Sequence, residues 1–274
     1  MEMLLKDGKH KVLTLSYDDG VVQDIRLIGI MDKFGLKGTF NINSGMYLPE
    51  DTVRERYYGR MKKSEAKALY TNSGHEVATH TVNHPHLERL DADEMMYEIT
   101  KDIESIEKEY GVTPRGMAYP YGTYDDNVLD ALEKCNIAYA RTVKSTYEFQ
   151  FPDNWLLLHP TCHHRYENLT ELAEKFVENK EWGGSAEMFY LWGHSYEFDK
   201  QDNWEVIEKF AEYVGNRDYI WYATNIEVYD YVKAYESLEI SSDKRTIYNP
   251  SSIDVWFKID GEDCLVKAKE TLRR

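Results

Sequence analysis

Short apolar runs of strand length alternate with segments in which apolar residues recur every three or four positions. Strands that alternate with helices in this way predict a parallel sheet connected by crossover helices. The predicted strands are residues 12–17, 39–42, 76–79, 116–119, 138–142, 156–159, 188–192 and 219–222. The predicted helices are residues 25–34, 64–70, 91–110, 125–135, 169–179, 204–214 and 227–235. Seven or eight such units in about 235 residues favour an α/β barrel over an open sheet.

The last part of the chain has a different pattern. Two apolar segments, 253–259 and 264–268, flank Asp260-Gly261. An Asp-Gly pair between strand-like segments is typical of a tight β-hairpin turn. We therefore expect residues 1–238 to form a (β/α) barrel catalytic domain and residues 239–274 to form a small C-terminal β-hairpin extension.

Composition narrows the class of protein. The formal net charge of -16 argues against binding to nucleic acid or to an anionic membrane. No segment approaches the ~20 apolar residues that a membrane span needs. The three cysteines (Cys135, Cys162 and Cys264) are far apart, which fits a reducing compartment. With no signal-peptide pattern at its start, the chain is expected to be cytoplasmic, although a secreted protein trimmed of its leader would have the same pattern. The oligomeric state stays open.

Four predicted strands end in polar clusters, which is where barrel enzymes build their sites. One cluster contains His80 and His84. Four residues apart on a turn, two imidazoles lie within about 6 Å and can share a metal ion. Asn83 and Pro85 favour such a turn over a continuing strand. The alternative is a pair of ordinary surface or helix-capping histidines.

Asp18 and Asp19 form the second cluster. Neighbouring strand residues point to opposite faces, but at a strand end followed by Gly20 both carboxylates can reach one pocket. One can bind a metal while the other moves a proton; the alternative is a turn or a helix cap. Two histidines and one aspartate suit a divalent ion with open coordination positions. Such an ion activates water and polarises a carbonyl, so the set predicts hydrolytic chemistry.

His194 follows the apolar run 189–193 and should also lie at a strand end. An imidazole there can protonate a leaving group. The alternative is a buried histidine that is hydrogen-bonded to the backbone.

In their order along the chain, these segments resemble the motifs of the polysaccharide deacetylase family, also called carbohydrate esterase family 4 or the NodB-homology domain. Residues 16–20, SYDDG, resemble its first motif, TFDDG, and residues 80–84 fit its H-[ST]-x-x-H motif. Residues 118–122, AYPYG, resemble its Pro-Tyr-Gly motif, and residues 191–194 resemble its L-x-x-H motif. The resemblance covers about residues 10 to 235.

The resemblance implies a distorted (β/α) barrel that removes acetyl groups from N-acetyl sugars and sometimes from O-acetyl esters. It implies one divalent metal ion, often Zn²⁺, with Co²⁺, Ni²⁺ or Mn²⁺ as alternatives. Asp18 would be the general base and His194 the general acid. The implied metal ligands are Asp19, His80 and His84, and the implied substrate-binding residues are Pro120, Tyr121 and Trp192. The partner would be an acetylated carbohydrate.

The sequence departs from the family pattern in three places. Ala118 stands where many members have an arginine that braces the catalytic aspartate, and Arg115 should point to the opposite face of its strand. Asp153-Asn154-Trp155 is a possible remnant of the motif that orients the catalytic histidine. The segment 159–164, HPTCHH, has no family counterpart. Its histidines (His159, His163 and His164) suit contact with substrate or with His194, a second metal site, or a structural loop.

Two other functions stay open. One is hydrolysis of a different small amide, such as a formamide or a cyclic ureide. The other is a catalytically inactive domain that only binds carbohydrate, although such a domain has no need for Asp18, Asp19, His80, His84 and His194 together.

Overall fold

The computed structural model describes residues 1–53, 59–71, 73–179 and 186–274. Within these ranges the fold combines one parallel sheet, flanking helices and two small antiparallel sheets. The strands are β1 (Glu2–Met3), β2 (Lys11–Asp18), β3 (Gly38–Ile42), β4 (Glu76–Thr79), β5 (Gly116–Ala118), β6 (Tyr139–Arg141), β7 (Cys162–His163), β8 (Glu187–Gly193), β9 (Ile220–Tyr222), β10 (Glu239–Ile240), β11 (Thr246–Tyr248), β12 (Val255–Ile259), β13 (Glu262–Val266) and β14 (Thr271–Arg273).

The helices lie between the strands as the periodicity predicted. They are α1 (Asp24–Lys33), α2 (Lys63–Thr71), α3 (Ala92–Tyr110), α4 (Asp126–Lys134), α5 (Leu169–Glu178), α6 (Tyr196–Gln201), α7 (Glu205–Val214) and α8 (Asn225–Glu236). Helix α3 begins with a capping box between Asp91 and Glu94 and ends at Gly111 in the left-handed conformation. The short helix α6, which begins two residues after His194, was not predicted.

The parallel sheet is a distorted (β/α) barrel, as expected. Its strands are ordered β6-β5-β4-β3-β2-β8-β7, and β9 pairs with the first half of β2 beside β3. The two ends of this order are joined through the segment before β7. Leu158 donates to the carbonyl of Ala140, and Thr161 donates to the carbonyl of Tyr190. The C-terminal ends of the strands therefore face one shared opening.

The predicted strand at residues 156–159 is wrong in its position. Residues Trp155–Leu157 form a 3₁₀ turn because the Asn154 side chain accepts a hydrogen bond from the Leu156 N–H. Leu158 then bridges to Arg141, and regular pairing with β8 begins only at Cys162. Pro160, which lies between these segments, has no N–H to donate to a sheet.

The alternation of β2 determines which of its side chains face the site. Leu13, Leu15 and Tyr17 pack in the apolar cluster beneath the helices. The intervening residues are polar and buried: Thr14 donates to Asn225, and Ser16 accepts from Asn41. This two-residue period directs Asp18 to the polar interior of the barrel.

The C-terminal strands and the N-terminal β1 form two three-stranded sheets, β1-β12-β13 and β10-β11-β14. The predicted hairpin is present, with Ile259 opposite Glu262 and the turn at Asp260-Gly261. Both turn residues have positive φ, 54° and 84°, as a tight hairpin turn requires. The N-terminal strand β1 pairs with β12, and the division of the chain at residue 238 remains a proposal. No helix in the described part of the chain is both long and apolar enough to cross a membrane.

Candidate active site

Asp19, His80 and His84 come together at the opening of the barrel. Their ligand atoms all lie within 4.8 Å of one another, and the two imidazole centroids are 4.6 Å apart. The carbonyl of Ala118 lies 2.7 Å from Nδ1 of His80 and fixes that nitrogen as the donor. The His80 Nε2 lone pair is then free for a metal ion, in the arrangement typical of histidine ligands. Burial lowers the pKa of His80 to about 4, so the ring is neutral near pH 7.

Two carboxylates of helix α3 hold the loop that carries these histidines. Glu98 accepts hydrogen bonds from the backbone N–H of Asn83 at 2.8 Å and from its side-chain amide at 2.7 Å. Asp102, one turn further along, accepts from Thr79 and from the backbone N–H groups of Ser44 and His80. Because the two acids share one helix face, they support both sides of the ligand loop.

Several site residues have left-handed backbone conformations. Asp19 has φ 85°, Thr81 φ 68°, His84 φ 57° and Tyr121 φ 58°. A β-branched residue such as Thr81 is rarely found there, and its surroundings compensate: its side chain accepts from the His84 N–H, and its carbonyl accepts from Asn43. Such backbone strain concentrates at functional sites.

Arg141, at the end of β6, forms a buried ion pair with Asp18. Asn41 donates to the other carboxylate oxygen of Asp18 at 2.9 Å. Burial alone would raise the pKa of Asp18, but Arg141, His80, His194 and the Asn41 hydrogen bond together lower it to about 2. Asp18 is therefore a carboxylate that stays ionised at neutral pH.

Sequence reasoning missed Arg141, although it identified the strand that carries it. The available signal was an arginine at the C-terminal end of a predicted barrel strand. Arg115, the other arginine considered, pairs with Asp230 of α8 at 2.9 Å and stacks over Tyr229. The expectation that Arg115 points away from Asp18 is confirmed by these contacts.

A second cation, Arg60, contacts Asp19. Its guanidinium lies 2.9 Å from Asp19 Oδ1, donates to the Asp19 carbonyl, and lies 2.8 Å from Asn43 Oδ1. A carboxylate has two oxygens, so Asp19 can pair with Arg60 and bind a cation at the same time. These bonds also hold the strained Asp19 backbone in place.

His194 follows β8 and faces the same opening. Its Nε2 lies 3.8 Å from Asp18 Oδ2, and its Nδ1 lies 3.8 Å from Glu197 Oε1. Burial would lower the pKa of His194, but Glu197, Asp18 and Asp19 outweigh burial and raise it. The site therefore favours the protonated imidazolium, the form that can donate a proton to a leaving group.

The carboxylate beside His194 is Glu197, which sequence reasoning also missed. The suggested remnant, Asp153-Asn154-Trp155, does not supply it: Asp153 is exposed beside Phe151 and His159, and Trp155 packs edge-on against Tyr229 with ring centroids 5.2 Å apart. Glu197 lies one turn after His194 in the unpredicted helix α6.

The family model for polysaccharide deacetylases matches residues 5–140, about half of the chain. The chain belongs to the polysaccharide deacetylase family. The matched region contains Asp18, Asp19, His80 and His84 and ends before Arg141 and His194.

Two curated relatives match parts of the chain. The uncharacterized protein YlxY of Bacillus subtilis is 27% identical over 127 residues, which are 46% of this chain and 36% of YlxY. Chitin deacetylase 1 of Cryptococcus neoformans is 34% identical over 86 residues, which are 30% of this chain and 18% of that protein. The chain thus spans well under half the length of the curated relatives it matches.

Two solved structures show the same fold at low sequence identity. A suspected polysaccharide deacetylase of Mycobacterium smegmatis superposes with a TM-score of 0.58 at 16% identity, covering 86% of this chain and 96% of that chain. A carbohydrate esterase family 4 pseudoenzyme of Bacillus anthracis, BA3943, gives a TM-score of 0.51 at 16% identity, covering 80% of this chain and 66% of that chain. The fold therefore also occurs in a protein described as a pseudoenzyme.

The three residues that the family resemblance assigned to substrate binding lie around the site. Pro120 is buried at the start of the 3₁₀ turn Pro120–Gly122. Tyr121 is 57% exposed, and its ring contacts His84 edge-on at 4.4 Å and stacks on His86 at 4.0 Å. Trp192 is buried; its ring lies 4.2 Å from the Arg141 guanidinium and 5.7 Å from the His194 ring.

The histidines of the segment 159–164 are divided between two places. Nδ1 of His159 lies 2.6 Å from the hydroxyl of Thr142. His163 and His164 instead approach Glu197, and this group offers three ligand atoms within 4.8 Å of one another. Together with Trp192 and His194, His163 and Glu197 border an open cleft of about 480 Å³.

Proposed function

We propose that this chain is a metal-dependent hydrolase that removes acetyl groups from an N-acetylated or O-acetylated sugar, oligosaccharide or polysaccharide. The observation that carries the proposal is the placement of two proton-transfer groups of opposite character at one opening. The pKa of Asp18 is lowered to about 2 and the pKa of His194 is raised, and 3.8 Å separates Oδ2 of Asp18 from Nε2 of His194.

The residues of this opening fit a divalent ion. One carboxylate and two neutral imidazoles are ordinary ligands of Zn²⁺ and related metals, and the His80 tautomer is fixed by the Ala118 carbonyl. Asp19, His80 and His84 would hold the ion. When bound, such an ion lowers the pKa of water and polarises the substrate carbonyl. Zn²⁺ is the first choice, with Co²⁺, Ni²⁺ and Mn²⁺ as alternatives.

Acyl hydrolysis needs two proton transfers, and Asp18 and His194 would each carry out one of them. Asp18, held by Arg141 and Asn41, takes a proton from the attacking water. His194 gives its Nε2 proton to the departing amine or alkoxide, and acetate is the other product. The backbone N–H of Tyr121 would donate to the oxyanion that develops on the carbonyl.

The neighbouring aromatic side chains suit a sugar substrate. The exposed Tyr121–His86 stack presents a flat face at the entrance, and aromatic faces pack well on the apolar faces of sugar rings. Trp192, beside Arg141 and His194, would shape the pocket for the acetyl methyl group, and Pro120 would fix the turn that carries Tyr121.

Two alternatives make different predictions. A hydrolase of a small formamide or cyclic ureide would release no acetate from acetylated sugars. An inactive carbohydrate-binding domain would bind sugars without turnover. The ion pair that keeps Asp18 charged inside the barrel favours an active enzyme, because a buried carboxylate is costly for a domain that only binds.

The test measures acetate release from N- and O-acetylated sugars, ranging from monosaccharides to short oligosaccharides. We expect turnover that a chelator abolishes and that added Zn²⁺ or Co²⁺ restores. Asp18→Asn should lower kcat by about 100-fold or more, the scale of general-base catalysis. Glu208→Gln, which removes an exposed ion-pair partner of Arg26, is the matched control and should retain full activity.

Metal analysis tests the ligand set separately. The protein should hold one divalent ion per chain, lost in His80→Ala and retained in His75→Asn at the other end of β4. A protein that binds no ion at saturating Zn²⁺ would overturn the metal assignment. Turnover of formamides or ureides without acetate release would favour the first alternative, and sugar binding without any turnover the second.

A further inference from the structure

Glu197 lies among three imidazoles. Its Oε2 is 3.2 Å from Nε2 of His163 and 3.0 Å from Nε2 of His164. Its Oε1 faces Nδ1 of His194 at 3.8 Å. These residues come from β7, the residue after it, the end of β8 and α6, so a single carboxylate connects several segments at the barrel opening.

The hydrogen bonds of His163 indicate where its proton lies. Its Nδ1 accepts from the backbone N–H of Arg165 at 3.1 Å. A ring nitrogen that accepts a hydrogen bond is unprotonated, so the neutral ring has its proton on Nε2, which faces Glu197. A metal-binding histidine instead donates through its second nitrogen. The proton on Nε2 of His163 therefore faces Glu197, which favours a carboxylate surrounded by imidazoles over a second metal site.

His164 makes the carboxylate position rigid. Its side chain is 1% exposed and lies between the rings of Tyr17 and Phe198, with centroid distances of 5.7 and 4.2 Å. The adjacent Gly193 leaves no space for movement, because even a Cβ there would lie 2.0 Å from His164 Nδ1. Glu197 thus meets a fixed partner on the side opposite His194.

Glu197 remains ionised in this setting. Burial would raise its pKa, but the contacts with His163, His164 and His194 outweigh burial and hold the pKa well below its usual range. Among the described residues, the buried Nδ1 of His194 has no partner within hydrogen-bond distance, and Oε1 of Glu197 at 3.8 Å is the carboxylate oxygen that faces it. The negative charge nearest to this nitrogen on its side of the ring is therefore the carboxylate of Glu197.

We propose that Glu197 is the positioning residue for His194 and that His163 and His164 hold its carboxylate in place. With Nδ1 held toward Glu197, the opposite nitrogen, Nε2, faces Asp18 and the reacting atoms. When the acid acts, the Nε2–H bond breaks and a new N–H or O–H bond forms on the leaving group. The imidazolium becomes a neutral imidazole with its proton on Nδ1, and Glu197 stays ionised. This role rests on the proposed function.

The test compares Glu197→Gln, Glu197→Asp and the control Glu208→Gln on the best acetylated substrate. Glutamine keeps the shape of the side chain but removes the charge. We expect kcat to fall about 10- to 100-fold while KM changes little, as for other partners that orient a reactive imidazole. Glu197→Asp should recover part of kcat, and the control should match the wild type.

The pH profile gives a readout that a purely structural role would not move. Loss of the negative charge should shift the basic limb of kcat to lower pH, because the imidazolium loses a stabilising partner. The other charged or titratable groups that face His194 (Asp18 at the end of β2, Asp19 after it, His163 from β7, His164 after it and Tyr196 from α6) are unchanged in the variant.

Nitrogen NMR of His194 without substrate separates this role from the proposed function. We expect the neutral ring to have its proton on Nδ1 in the wild type and to lose that preference in Glu197→Gln, whether or not acetate is released. An unchanged tautomer, or a kcat within about twofold of the wild type, would overturn the proposal. A second equivalent of Zn²⁺, bound by the wild type and lost in His163→Ala, would overturn it in favour of a metal site.

Discussion

Arg141 and Asp18 form a buried ion pair across the barrel, although 123 residues separate them in the sequence. Both side chains are almost fully buried, at 1% and 3% exposure. Arg141 comes from the end of β6 and Asp18 from the end of β2, so the pair spans the opening. The positive charge of Arg141 offsets the negative charge of Asp18, which lies beside the candidate metal ligands, and the pair fixes the orientation of the Asp18 carboxylate.

Arg141→Met should therefore leave an uncompensated carboxylate inside the barrel. We expect the free energy of unfolding to fall by about 3–5 kcal/mol, the usual cost of breaking a buried pair, and activity to fall strongly. Urea denaturation and acetate release measure the two effects. Asp18→Asn should recover much of the stability in the Arg141→Met background. Arg26→Met, which breaks an exposed pair with Glu208, should cost at most about 1 kcal/mol. Equal losses in the two arginine variants would contradict the role of Arg141.

Glu98→Ala should weaken metal binding although it leaves the proposed metal ligands Asp19, His80 and His84 unsubstituted. The loop with His80 and His84 loses two hydrogen bonds to Asn83 when this carboxylate is removed. We expect the Kd for Zn²⁺ to rise about 10- to 100-fold, measured by competition with a chelator. Glu104→Ala lies on an exposed part of the same helix and is the control. An unchanged Kd in Glu98→Ala would show that the loop keeps its shape without Glu98.

Glu76 should make stability depend on pH. It is half-buried at the start of β4, where desolvation raises its pKa from 4.5 to about 7 despite hydrogen bonds from Ile226, Thr39 and Tyr139. Because its pKa is higher in the folded than in the unfolded state, its stabilising contribution is present in full below about pH 4.5 and is lost as pH rises through 7.

Glu76→Gln removes this titration and keeps the shape of the side chain. Between about pH 4 and pH 8 the wild type should lose on the order of 3 kcal/mol of unfolding free energy relative to the variant. Denaturant titrations of both proteins at each pH measure this difference. Parallel pH profiles for the two proteins would show that Glu76 ionises normally.

Gly193→Ala should disturb the position of His164. The added Cβ would lie 2.0 Å from His164 Nδ1, and that ring cannot move because Tyr17 and Phe198 enclose it. We expect a loss of about 1–3 kcal/mol from overpacking, together with lower activity, since His194 is the next residue. Gly29→Ala, in α1 with open space around it, should be neutral or slightly stabilising. Thermal unfolding of both variants measures the difference in stability, and equal stability of Gly193→Ala and Gly29→Ala would contradict the prediction.

The sequence by itself determined the barrel, the order of most of its elements and most residues of the candidate site. Period-two alternation directed Asp18 inward, and the strand ends marked Asp19, His80, His84 and His194 as neighbours. These inferences succeed because a parallel barrel brings all its strand ends to one opening, whichever strands are adjacent. The C-terminal hairpin followed from its Asp-Gly turn for a similarly local reason.

The tertiary structure decided which side chains support those groups. Arg141 replaces the arginine absent at position 118, Glu197 supplies the carboxylate beside His194, and Glu98 with Asp102 holds the ligand loop. Each partnership joins residues from different elements or depends on a helix, α6, too short to leave a periodic signal. Local patterns give the direction of a side chain but not the distance to a group on another strand, and that distance follows only from the packed barrel.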